Sequence, residues 1–104
     1  LRDIRPFSWQ SVRGCNFGAC TTDILKIGGF DESYIGWGRE DSDFVARMLK
    51  AGITVRSGRF ATCVAHLHHA ERPRDHFSVN DDRFKQMLHD TVSYRPAKTI
   101  IKPR

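Results

Sequence analysis

With 104 residues, 39% of them hydrophobic, the chain has the length of one small domain and can bury only a modest core. No apolar run approaches the roughly 18 residues that span a bilayer, and no charged segment leads into an apolar one as in a signal peptide. The formal charge is +5, and Cys15, Cys20 and Cys63 show neither metal-type spacing nor a disulfide framework; reduced thiols in a cytoplasmic setting are therefore expected.

Phe17 to Cys20 reads as a short strand. Thr21 or Thr22 then offers an N-cap for a helix through Asp23-Ile24-Leu25-Lys26-Ile27, which Gly28-Gly29 stops. Glycines 28, 29, 36 and 38 make the next stretch a loop, with Phe30, Tyr34, Ile35 and Trp37 as apolar anchors. A second helix is predicted from Glu40 to Ala51, ending at Gly52, because Phe44, Val45, Met48 and Leu49 recur at offsets of three and four. On it Asp43 pairs with Arg47 at i, i+4, whereas Asp41 points toward the core rows. Ile53 to Arg56 and Ala61 to His66 read as strands, and Ser78 to Asp90 as a third helix. Pro73 and the charges around it mark residues 70–76 as the internal boundary, dividing 1–76 from a helix and tail at 77–104. The tail carries Arg95, Lys98, Lys102 and Arg104 with no acid among them, and is expected to be a free, solvated end.

Gly36-Trp37-Gly38-Arg39-Glu40-Asp41-Ser42-Asp43 concentrates the chemistry. Glycine neighbours lack a Cβ and leave an indole face accessible, and carboxylates one turn on can accept hydroxyl protons or hydrogen bonds. Together with Gly28-Gly29-Phe30-Asp31-Glu32, this stretch resembles the C-terminal half of a GT-A-fold glycosyltransferase, of the bacterial family 2 and galactosyltransferase or chondroitin polymerase type. The resemblance spans residues 14–69. It implies an α/β fold, here a short mixed sheet with about three helices, and inverting transfer of a sugar from a UDP-sugar to a glycan or glycoconjugate acceptor.

The same resemblance makes Asp41 the general base, with helix capping as the plain alternative. Trp37, Glu40, Gly36, Gly38 and Asn16 become the substrate-binding set; for Trp37, core packing competes with a platform for a sugar ring. In related enzymes a histidine after the acidic helix completes a manganese shell on the donor diphosphate, which implies His66, with His68 as the fallback. Alternation in an extended segment puts His66 and His68 on one face and His69 on the other. Manganese, or magnesium in its place, ranks ahead of plain structural histidines and of a zinc site with Cys63.

Asp41-Ser42-Asp43 also spells the Asp-x-Asp metal signature, but it opens a helix here, whereas the signature belongs at the end of an apolar strand. The true signature and the uridine pocket are expected upstream of Leu1, in an N-terminal half that acts as a partner, so the fragment alone is expected to be inactive. Nucleic acid is not an expected partner: only charge recommends a small basic polyanion-binding module, the alternative reading. An inactive glycosyltransferase-like interaction domain is another alternative, and the basic tail adds a peripheral place at the inner membrane face.

Overall fold

A computed structural model describes residues 9–14, 16–56, 58 and 63–101. Among these, a 3-10 turn at Trp9–Ser11 precedes three α-helices, α1 (Thr21–Ile27), α2 (Glu40–Lys50) and α3 (Phe77–His89). There is no strand among the described residues, so the expected α/β fold with a short mixed sheet is corrected to an all-helical arrangement. The reason is visible at 53–56. Burial alternates there, with Ile53 and Val55 half-buried and Thr54 and Arg56 exposed, as in a strand, yet a strand also needs a ladder partner. The Ile53 N–H donates instead to Met48 O at 3.1 Å and closes the end of α2. Phe17–Cys20 and residues 63–66 are likewise irregular, and Ala61 and Thr62 of the last predicted strand lie outside the described residues.

The helices fall close to their predicted bounds. Neither threonine caps α1: Cys20 occupies the N-cap and no side chain bonds the helix start. At the other end the Gly28 N–H reaches Leu25 O and the Gly29 N–H reaches Ile24 O, a Schellman closure. The buried stripe of α2, Phe44, Val45 and Met48, meets Val12 and Ile27 to form the core. Phe84 of α3 is 1% exposed and meets Trp9 in a T-shaped contact at a ring separation of 4.7 Å.

At the centre sits the predicted Asp43–Arg47 pair, 2.6 Å apart with both side chains 1% exposed. Arg47 also donates to Ile27 O at 2.9 Å and Gly29 O at 2.7 Å, and Asp43 accepts the Tyr34 hydroxyl at 2.9 Å. Burial pushes the Asp43 carboxyl up while the Arg47 guanidinium pulls it back, and burial with the Asp43 charge raises the Tyr34 phenol. This network joins the end of α1 to the middle of α2.

The basic tail is not free over its described part, and Lys102 and Arg104 lie outside the described residues. Asp31 accepts the N–H groups of Ser33, Ala97 and Lys98, the Thr99 hydroxyl donates to Gly28 O at 2.6 Å, and the Glu32 N–H donates to Lys98 O. Residues 97–99 are thus tied onto the turn after α1. No helix among the described residues is long and apolar enough to cross a membrane.

Candidate functional site

The loop between Ile35 and α2 is shaped by backbone that few side chains tolerate. Gly36 and Gly38 have φ of 74° and 114°, and a Cβ on either would lie 2.8 Å from the His76 ring or 2.7 Å from the Phe77 ring. Both glycines therefore serve close approach to the start of α3 as well as the turn itself. Arg39 follows in the left-handed region at φ 73° and forms the N-cap of α2, with its carbonyl accepting the Asp43 N–H at 2.9 Å.

Asp41 stands in the first turn of α2, half-buried. Its Oδ2 accepts the Gly14 N–H at 2.9 Å and its Oδ1 accepts the N–H of Ser42 at 2.7 Å. Two main-chain donors thus fix the carboxylate, one from its own helix and one from the segment before α1. Glu40 is exposed at the helix start. Asn16 is exposed and donates its backbone N–H to Arg13 O, two residues along the chain from Gly14. Asp43 faces away into the Arg47 pair, so the Asp-Ser-Asp triplet does not act as two converging carboxylates.

Trp37 is 38% exposed. Phe77 packs against it at 5.6 Å between ring centroids, and the Arg74 guanidinium lies 4.1 Å over the indole. The indole borders an open cleft of about 630 Å³ that also includes His66, His68, His69, Arg72 and Arg74. Trp37 and both predicted metal histidines, 29 to 31 residues apart in sequence, therefore share one cavity.

Within it, His66 pairs with His69 and not with His68. Their Nε2 atoms are 3.0 Å apart and the ring centroids 5.2 Å apart with 20° between the planes, so the rings lie nearly end to end. The alternation expected for residues 66–69 assumed a strand, and in the irregular segment it does not hold. His69 Nδ1 lies 2.8 Å from Ala70 O, an acceptor, so Nδ1 is the donor of that bond. With the rings end to end, the lone-pair axes of the two Nε2 atoms run along the line between them, and both rings must turn before the two nitrogens can face one divalent ion as adjacent ligands. No group of three or more histidine, cysteine or acidic side chains converges among the described residues.

Sequence reasoning missed how α3 holds the loop. Asn80 is 2% exposed and donates to Ile35 O at 2.9 Å and Trp37 O at 3.4 Å, while Arg39 Nε donates to Asp81 Oδ1 at 2.8 Å. The one signal for this was the polar pair Asn80-Asp81 within the apolar rows of α3.

Residues 4–71 match the family model described as the N-terminal domain of galactosyltransferase. The match contains the whole 14–69 stretch, and its description names an N-terminal domain where the resemblance implied a C-terminal half. No solved structure matches the chain.

Proposed function

The chain belongs to the family described as the N-terminal domain of galactosyltransferase, and from this premise we propose that it serves an inverting transfer of a hexose from a UDP-sugar to a hydroxyl of a glycan or glycoconjugate, with Asp41 as the general base. The observation that carries this reading is the Asp41 carboxylate, held by the Gly14 N–H four residues after the glycine-flanked Trp37. A base must be held within hydrogen-bond reach of the proton it removes, and a carboxylate fixed by main chain loses little freedom in getting there.

In the proposed reaction the acceptor hydroxyl gives its proton to Asp41 as its oxygen bonds to the anomeric carbon. The bond from that carbon to the diphosphate oxygen breaks with its electron pair, UDP leaves from the opposite face, and the configuration inverts. Glu40 accepts hydroxyl hydrogen bonds from sugar, and Trp37 supplies the apolar face, with the exposed Arg74 side chain moving aside or covering the ring from above. His66 and His69, once their rings turn so that both Nε2 lone pairs face one point, would hold a divalent ion, Mn²⁺ or Mg²⁺, and His68 stands beside them in the cleft. Such an ion, when bound, neutralises charge on the leaving diphosphate. The rest of its shell and the uridine pocket come from outside the described residues.

Asp41→Asn in the intact enzyme tests the reading. Transfer from UDP-galactose with Mn²⁺ should fall by at least a thousandfold while donor binding holds; turnover near the wild-type rate would remove Asp41 from the mechanism.

A further inference from the structure

We propose that Asp81 is a positioning residue, which acts through Arg39 to set the backbone that carries Trp37 and Asp41. The inference rests on the reading of that loop as the transfer site. It concerns a residue beyond the matched stretch 4–71.

Arg39 is the non-glycine residue with positive φ among those described. Glycine or asparagine would adopt that backbone with less strain, so an arginine here points to a use for its side chain. The guanidinium lies among three rings, 5.6 Å from Trp9, 5.4 Å from Phe77 and 5.3 Å from Phe84. Its Nε meets Asp81 Oδ1 at 2.8 Å, with the two side chains 28% and 16% exposed. Lys85, on the same helix, holds the other carboxylate oxygen at 3.0 Å. That second contact faces solvent, with the Lys85 side chain 65% exposed, and bears on Arg39 only weakly.

The position of Arg39 gives the pair its leverage. Its own carbonyl accepts the Asp43 N–H and starts α2, so rotation about its φ swings Glu40 and Asp41 relative to Gly38 and Trp37. On one side Asn80 and Phe77 hold Trp37; on the other Gly14 holds Asp41. The Arg39–Asp81 bond joins these two anchorages at the residue where the chain turns between them. Loss of the bond leaves the αL strain at Arg39 opposed by ring packing and the helix start without the ion pair, and the turn relaxes.

The test reads the loop at its far side. In ¹⁵N-labelled chain, the Gly14 amide reports where the Asp41 carboxylate lies, and the Trp37 indole N–H reports the other limb. Asp81→Asn should shift both signals, Asp81→Glu should restore them in large part, and Lys85→Met should leave both in place although it removes the other partner of Asp81. In the intact enzyme with UDP-galactose and Mn²⁺, Asp81→Asn should lower kcat about tenfold with donor KM unchanged. Unmoved Gly14 and Trp37 signals in Asp81→Asn, or equal shifts in Lys85→Met, would overturn the proposal. So would an unchanged kcat in Asp81→Asn. Asp41→Asn is run in parallel: if it is inactive while Asp81→Asn is normal, the positioning role alone fails; if it stays active, the site reading fails and the proposal with it.

Discussion

The Gly14 N–H meets Asp41 Oδ2 at 2.9 Å across 27 residues of sequence, and this one bond ties the segment before α1 to the first turn of α2. A Cβ on Gly14 would stand 3.3 Å from both the Cβ and Oδ2 of Asp41, which is tight enough to push the carboxylate by a few tenths of an ångström. Misplacing a catalytic group by about 1 Å can cost about 100-fold in rate. Gly14→Ala should therefore lower kcat about tenfold, with donor KM and melting temperature close to wild type. Steady-state kinetics on the intact enzyme, beside a thermal melt, measure both.

Arg47 satisfies three acceptors at once, Asp43, Ile27 O and Gly29 O, from a position 1% exposed. Truncating one partner of a buried ion pair leaves the other charge unpaired and costs about 3–5 kcal/mol. Arg47→Met fills much of the same volume but abandons Asp43 and both carbonyls. The unfolding free energy from a urea titration should fall by an amount in that range, through a lower midpoint with the m-value unchanged. A loss below about 1 kcal/mol would mean that water or a neighbouring group takes over the abandoned acceptors.

The docked tail makes stability depend on acid. Burial raises the Asp31 carboxyl, but the N–H groups of Ser33, Ala97 and Lys98 outweigh it and the net is below the ordinary 3.8. A depressed carboxyl contributes stability that is complete above its unfolded value and lost as pH falls through the folded one. The ties of residues 97–99 should thus persist at pH 5 and above and weaken progressively below about pH 4. Hydrogen exchange at the Ala97 and Lys98 amides, scaled for intrinsic rates at each pH, measures this. Asp31→Asn should show the same loosening already at pH 7.

The parts legible in the sequence were those that repeat at short range. Phe44, Val45 and Met48 announced α2, Gly28-Gly29 announced the end of α1, and the i, i+4 offset announced the Asp43–Arg47 pair. The missed parts depend on distant partners. Ile53–Arg56 has the alternation of a strand, but periodicity cannot say whether a ladder partner exists. Likewise, the charges of Arg95 and Lys98 suggested a free tail, whereas Asp31, a turn residue remote in sequence, gathers the tail's amides. At the site, the glycine-flanked Trp37 and the histidine run were both visible, but the bonds that orient Asp41 and Arg39 run to Gly14 and Asp81. Neither residue belongs to the motif.

The histidine pair yields the sharpest division between neighbours. His66 and His69 point their Nε2 atoms at one another from 3.0 Å, so in the proposed ion site each ring turns by about 45° to bring both lone pairs onto one ion. The Nδ1 bond from His69 to Ala70 O is of the outer kind that commonly orients a ligating imidazole. His68 lines the same cleft without joining the pair. With trace Mn²⁺ added to this chain, the imidazole Cε1–H signals of His66 and His69 should broaden together. His66→Ala or His69→Ala should abolish the broadening of the remaining partner, whereas His68→Ala should leave it intact. If His68→Ala removed the effect and His69→Ala did not, the ion would sit where the sequence pattern placed it, and the observed pair would be a hydrogen-bond contact alone.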